Sequence, residues 1–114
     1  MKNLIFLFLI FINFFCSAQQ KAIADYVKTE SNGGKLDFAK VAEEQAQGAY
    51  FIRFGNVLYN KKDFAILLWG TAVKSLGIEK IDEAIRLWEE INKRLLTEAE
   101  KKALKTGFET KIEN

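Results

Sequence analysis

Histidine and proline are absent from this 114-residue sequence, and cysteine occurs once, as Cys16. Without histidine or further cysteines, the usual ligands of zinc and haem are missing, and neither a Ser–His nor a Cys–His nucleophilic pair can form. The sequence also lacks the D-x-D-x-D-G calcium loop and the G-x-x-x-x-G-K-S/T phosphate loop. We therefore expect no cofactor, no metal site and no catalytic residue of these kinds.

The first 18 residues have the layout of a secretory signal peptide, in a form typical of bacterial export. Lys2 is followed by an apolar run over residues 4–15, and small residues at 16–18 precede a possible cleavage site before Gln19. The run is shorter than the about 20 apolar residues that a membrane-spanning helix needs. We predict a signal peptide over residues 1–18.

Lipidation of Cys16 is the alternative interpretation of this leader. The residue before a lipidated cysteine is normally small, whereas here it is Phe15, so we favour simple cleavage. Residues 19–114 then form one helical domain, since this length leaves no room for a second. The protein is expected to be periplasmic or secreted, with no membrane contact after cleavage.

Charges are nearly balanced, with 17 Lys plus Arg against 15 Asp plus Glu, and one of the lysines lies in the leader. Acidic and basic residues are interspersed. A basic stripe that would follow phosphates is missing, and so is an acidic block. We therefore expect no nucleic-acid partner.

Helical spacing dominates the second half of the chain. The segment IEKIDEAIRLWEEINKRLL has an apolar stripe formed by Ile81, Ala84, Ile85, Trp88, Ile91 and Leu95. Glu90 and Arg94 form a favourable i,i+4 pair there, and Thr97 with Glu100 forms a T-x-x-E capping box for the last helix. Gly70 inside the apolar helix FAILLWGTAVKSLG costs up to about 1 kcal/mol, which a close helix crossing would explain. We predict an all-α fold: a single small domain of five or six helices with bundle-like or orthogonal packing.

Within the stretch EEQAQGAYFIRFGNVLYN, residues 43–60, the segment AYFIRFGNVLY, residues 49–59, allows two interpretations. A helix would group Tyr50, Phe54, Val57 and Leu58. A strand would alternate Tyr50, Ile52 and Phe54 with Phe51 and Arg53. We favour the helix because the neighbouring segments are helical and no partner strand is evident.

The same stretch contains the candidate binding residues, namely Glu44, Tyr50, Arg53, Asn56 and Tyr59. An arginine in so apolar a segment either reaches the surface or pairs with a buried carboxylate. We predict a buried structural pair between Glu44 and Arg53, with ligand contact by Arg53 as the alternative. Glu43 and Glu44 are also a conceivable carboxylate pair in a cleft, although a solvated helix end is the commoner role of such residues.

Two segments have the small–aromatic–small spacing of the second helix in a tetratricopeptide repeat. The positions are Ala84, Trp88 and Ile91 in DEAIRLWEEI, and Ala65, Trp69 and Ala72 in AILLWGTA. The resemblance implies helical hairpins of similar packing. It does not imply a repeat array, because the residues between the two segments are too few for the first helix of a full unit.

A longer pattern covers residues 44–88. Glu44, then Gln47-Gly48-Ala49-Tyr50, then Phe54 and Asn56 follow E-x-x-N-G-G-F-x-x-x-F-x-N, and residues 72–80 follow A-L-x-x-I-G-A-x-K. In this the chain resembles the DNA-mimic-protein-like helical domain family, largely of unknown function. Gln47 replaces an asparagine and Ala49 the second glycine of the pattern. The resemblance implies a helical domain, but not acidic DNA mimicry, because this chain is near neutral and carries an export signal.

These observations favour an exported, non-enzymatic binding or accessory protein that acts on a protein partner, for example as an inhibitor or protector. The alternative is a small carboxylate-dependent hydrolase of envelope glycan. That enzyme would need two carboxyl groups about 5–9 Å apart in a cleft, whereas a flat apolar surface patch would favour the binding protein. The sequence does not indicate an oligomeric state.

Overall fold

The computed structural model of the chain describes residues 18–110. The predicted signal peptide therefore lies outside the described residues, apart from its last position. The elements in chain order are helix α1 over residues 18–30, α2 (Ala39–Ala46), strands β1 (Phe51–Phe54) and β2 (Val57–Asn60), α3 (Lys61–Leu76), α4 (Ile81–Asn92) and α5 (Glu98–Glu109). The prediction of a mostly helical single domain is confirmed, with five helices in this part of the chain.

The prediction of a helix over residues 49–59 is wrong. β1 and β2 form an antiparallel hairpin in which Ile52 lies opposite Tyr59 and Arg53 opposite Leu58. The turn between them is Gly55-Asn56, and Gly55 has a φ of +63°, a conformation that glycine adopts without steric cost. The missing partner strand was thus the second half of the same stretch, folded back on the first.

α3 is the central helix and crosses α5 at close range. A Cβ atom on Gly70 would lie 2.7 Å from the carbonyl oxygen of Leu104 in α5. At the same crossing, the Thr71 hydroxyl donates a hydrogen bond of 2.9 Å to the carbonyl oxygen of Gly107. The crossing explains why glycine is kept inside an apolar helix, as the sequence indicated.

The core has two parts. The larger one joins α1, α3, α4 and α5 around Val27, Trp69, Val73, Ile78, Trp88, Leu104 and Phe108. The smaller one lies beneath the hairpin and consists of Ala42, Ala46, Ile52, Tyr59, Phe64, Leu67 and Ala103. One face of the hairpin is therefore fixed to the helices, and the other is left to solvent.

Side-chain caps fix where α3 and α5 begin. Asn60, the last residue of β2, is the N-cap of α3, and its side-chain oxygen accepts a hydrogen bond of 2.7 Å from the backbone N–H of Asp63. The hairpin consequently leads directly into the central helix. The predicted capping box of Thr97 and Glu100 is confirmed at the start of α5.

Candidate functional site

Strand alternation gives the hairpin an outer face that consists of Phe51, Arg53, Leu58 and Asn60. Phe51 is 58% exposed and Leu58 is 57% exposed. These two side chains are diagonal neighbours across the strand pair, a distance that aromatic and long side chains span. Tyr50 beside β1 is 84% exposed, and Val57 at the start of β2 is also exposed. The hairpin thus presents several large apolar side chains to water, and Phe51 and Leu58 among them share the outer face.

The structure brings three of the five predicted binding residues to the exposed part of this hairpin: Tyr50, Arg53 and Asn56. Tyr59 does not join them. It is buried in the smaller core, and its hydroxyl lies 3.5 Å from the Thr106 hydroxyl of α5. Glu44 is exposed on α2, away from the strands in sequence.

The predicted buried pair of Glu44 and Arg53 is wrong, because both side chains are exposed. The reason is the strand geometry. Ile52 turns into the core, so its neighbour Arg53 must turn outward. Glu43 and Glu44 do not form a carboxylate pair in a cleft, because only Glu43 lines the cleft described below. Glu43 itself is exposed and lies 3.4 Å from Lys61 in a surface ion pair.

We expect Arg53→Ala to change the free energy of unfolding by no more than about 0.5 kcal/mol, as exposed positions usually do. Urea unfolding of the variant beside the unaltered protein measures this. Ile52→Ala is the matched variant, because its side chain points to the opposite face and its loss should cost about 2 kcal/mol or more. Equal losses in the two variants would contradict the assignment of faces.

A second feature is a cleft of about 480 Å³ between the loop of residues 31–39, the first half of α3 and the end of α4. Apolar side chains that line it are Leu36, Phe38, Ala65, Ile66, Trp69 and Trp88. Charged side chains that line it are Asp37, Glu43, Lys61, Lys62 and Arg94. The sequence did not reveal this cleft, because its walls come from three segments that are distant in the chain.

Hydrogen bonds and stacking hold the walls of the cleft in place. The Trp69 indole N–H donates to the Ser31 hydroxyl at 2.9 Å, which ties α3 to the loop after α1. The Arg94 guanidinium lies over the Trp88 ring, 4.7 Å from its centroid, a favourable cation–π geometry. Both tryptophans are therefore held as fixed parts of the cleft.

Arg94 does not pair with Glu90, contrary to the i,i+4 prediction. α4 ends at Asn92, and Lys93 is left-handed with a φ of +55°, which redirects the chain before Arg94. The guanidinium instead forms two hydrogen bonds with the buried Glu100 carboxylate, at 2.8 and 2.6 Å. Glu90 pairs with Lys28 of α1 at 2.9 Å.

These contacts change the acidity of two carboxyl groups at the start of α3 and α5. Hydrogen bonding from Arg94 lowers the pKa of Glu100 to about 2, aided by hydrogen bonds from Thr97 and opposed by burial. Burial raises the pKa of Asp63, the nearby Glu100 charge raises it further, and Lys62 opposes the shift. Glu100 is therefore a structural anion, since its oxygens are already used by Arg94 and by the helix cap.

The described residues include no group of three or more His, Cys, Asp or Glu side chains arranged to hold a metal ion. Within the same part of the chain, every helix is too short or too polar to cross a membrane.

No protein-family model, curated protein or solved structure matches this chain. The resemblances to the DNA-mimic-protein-like family and to tetratricopeptide helices therefore stay predictions.

Proposed function

We propose that this chain is an exported, non-enzymatic binding protein that attaches to a protein partner through the outer face of its hairpin. The observation that carries the proposal is the exposure of Phe51 and Leu58 as diagonal neighbours on one face. Single exposed apolar residues are ordinary on protein surfaces, but contiguous ones mark interaction sites. Aromatic residues and arginine are also the types most enriched at the centres of protein interfaces.

The chemistry of the face indicates the chemistry of the partner. Arg53 lies between apolar neighbours and directly opposite Leu58. A complementary surface would be apolar with an acidic side chain placed to meet the guanidinium, since a buried interface charge needs a partner. Tyr50, the exposed residue just before β1, would add contact area at little entropic cost because it has only two rotatable side-chain bonds.

No observation on the described residues favours the alternative, a glycan hydrolase. The two carboxylates that line the cleft already have hydrogen-bond donors: Asp37 accepts from backbone N–H groups, and Glu43 pairs with Lys61. Glu100 is held by Arg94. A hydrolytic pair needs one protonated carboxyl and one free carboxylate facing the substrate.

The proposal is tested by capturing partners from an envelope extract of the native host with the purified protein and with Phe51→Ser/Leu58→Ser. One envelope protein should be enriched by the unaltered protein and lost from the double variant. Leu95→Ser is the matched control, because Leu95 is 78% exposed in the α4–α5 loop and should leave capture unchanged. Arg53→Glu should abolish capture as well, since it would place like charges together.

Two outcomes would contradict the proposal. The first is equal capture by the hairpin variant and the Leu95 variant. The second is a stable, concentration-dependent dimer of the unaltered protein that becomes monomeric in the hairpin variant, because the face would then bind a second copy of this chain. Circular dichroism and urea unfolding should show both variants folded, since all three substituted side chains are exposed.

A further inference from the structure

We propose that the cleft between the loop of residues 31–39, α3 and α4 binds a small amphipathic carboxylate, with its apolar body on the cleft floor and its carboxylate at Lys62. This site is separate from the hairpin face and does not depend on the function proposed for that face.

The floor of the cleft is formed by its apolar side chains. Leu36, Ile66, Trp69 and Trp88 line the cleft together with Phe38. Its volume of about 480 Å³ lies within the range of about 300–1,000 Å³ that is usual for small-molecule sites. Such sites combine apolar side chains with polar groups that fix the orientation of the ligand. This cleft has both in nearly equal numbers, with seven apolar and eight polar or charged lining residues.

The charged side chains that line the cleft form its rim. The acidic ones, Asp37 and Glu43, already accept hydrogen bonds from the protein. The Asp37 carboxylate accepts from the backbone N–H of Gly33 at 2.8 Å and of Ala39 at 3.3 Å. Glu43 accepts from Lys61 at 3.4 Å. Both carboxylates therefore already have donors from the protein, with which a cation or a hydrogen-bond donor of a ligand would have to compete.

The basic groups on the rim have N–H donors that are not used within the described part of the protein. Within residues 18–110, Lys62 forms no ion pair with a carboxylate. The Lys62 charge lowers the pKa of Asp63 through space, without an ion pair between them. An ammonium has three donors, and a guanidinium has five. Arg94 uses three N–H bonds, to Leu95 and Glu100. Because Asp37 and Glu43 already have donors from the protein whereas Lys62 forms no ion pair with a carboxylate among the described residues, we expect the rim to favour a ligand that brings an ionised acceptor.

The position of Lys62 adds to this preference. It lies in the first turn of α3, where the partial positive charge of the helix terminus also favours anions. A carboxylate at this end would leave the hydrocarbon part of the ligand to lie along the floor toward Trp69 and Trp88. The cleft thus separates an anionic end from an apolar end.

Decanoate is the probe for this site, and tryptophan fluorescence is the readout. Both tryptophans of the chain line the cleft, so occupancy should give a saturable change in emission below the micelle-forming concentration. Decanol, with the same chain and no charge, should bind at least about tenfold more weakly. Lys62→Met should weaken decanoate binding about tenfold, the effect of losing one charge-assisted hydrogen bond.

Lys80→Met is the matched control, because Lys80 is exposed and lies outside the cleft; it should leave decanoate affinity unchanged. Ala65→Leu should abolish binding by filling the floor while the circular dichroism spectrum stays the same. The hairpin variant Phe51→Ser/Leu58→Ser should bind decanoate normally, which separates this proposal from the preceding one.

Three results would overturn the assignment. They are the absence of a saturable fluorescence change, an equal loss of affinity in Lys62→Met and Lys80→Met, and equal affinities for decanol and decanoate. The last would mean an apolar site without anion recognition.

Discussion

Replacing Gly107 by alanine is expected to lower the free energy of unfolding by about 2–3 kcal/mol, the usual cost of forcing extra atoms into a packed core. Gly107 is buried in α5 where that helix crosses α3. A Cβ atom there would overlap the backbone carbonyl oxygen of Leu67, and the Leu67 carbonyl carbon would lie only 2.7 Å away. A backbone atom cannot turn aside as a side chain can, so the helices would have to separate.

The sign of the effect makes this prediction specific. In a helix whose surface is open, glycine to alanine stabilises by up to about 1 kcal/mol, because alanine has the higher helix propensity. Here the substitution should destabilise. Lys105→Ala, at an exposed position of the same helix, is the matched control and should change stability by no more than about 0.5 kcal/mol. Urea unfolding followed by circular dichroism measures all three proteins.

Gly70→Ala extends the test, since its Cβ would approach Leu104 of the facing helix. If both glycines serve the same crossing, the double variant should lose less than the two single losses added together, because helices separated once need not separate again. A stabilising Gly107→Ala would show that the crossing is looser than the structure has it.

The sequence predicted those elements whose signals are local. The apolar stripe of α4 repeats at helical spacing over several turns, and the Thr97–Glu100 capping box needs only residues that are neighbours in the chain. Gly70 pointed to a close crossing because its cost in an apolar helix needs compensation. It could not indicate that α5 was the partner, since that contact joins residues far apart in the sequence.

The hairpin was missed because a four-residue apolar strand and a turn of apolar helix look alike. The local sign was present: Gly55-Asn56 is a two-residue glycine turn between two alternating runs, a known hairpin pattern. The error carried through to the candidate site. The predicted pair of Arg53 and Glu44 did not take account of strand alternation. In β1 the Arg53 side chain must point to the face opposite that of Ile52, and Ile52 points into the core.

The cleft shows a different limit of prediction from the sequence. Its charged rim combines Asp37, Lys62 and Arg94, which no periodicity links. Arg94 reaches Glu100 only because α4 stops at Asn92 and the chain turns at Lys93. Helix ends are the least predictable features of a sequence, and here one end decides which ion pair forms.

The ion pair of Arg94 and Glu100 should make the free energy of unfolding depend on pH below about pH 5. The Glu100 side chain is 5% exposed and receives two hydrogen bonds from Arg94, which lower its pKa from the ordinary 4.5 to about 2. A carboxyl whose pKa is lower in the folded state stabilises the fold when it is ionised. Its contribution is fully present above about pH 4.5 and is lost as the pH falls through about 2.

The size of the contribution follows from the same two pKa values. Their difference sets an upper bound of about 3 kcal/mol at about 1.4 kcal/mol for each pKa unit. Arg94 is 38% exposed, so water screens the pair, and we expect about 1–2 kcal/mol from Glu100. Asp63 acts in the opposite direction, because its raised pKa contributes stability that is present at low pH and lost as the pH rises.

Glu100→Gln isolates the effect. Glutamine can still complete the capping box with Thr97, so the helix cap is kept while the charge is removed. At pH 7 the variant should be less stable by about 1–2 kcal/mol, and between about pH 5 and pH 2 it should lose less stability than the unaltered protein. Without the Glu100 charge, the pKa of Asp63 should also fall.

Glu98→Gln is the control in the same turn of α5, because Glu98 is exposed and its nearest ion-pair atom, on Lys101, lies 3.8 Å away. It should reproduce the acid profile of the unaltered protein. Urea midpoints measured at steps across this range distinguish the two variants. Parallel profiles for Glu100→Gln and the unaltered protein would mean that Arg94 does not lower the pKa of Glu100 in solution, and the pair would then fix the position of Arg94 over Trp88 without stabilising the fold.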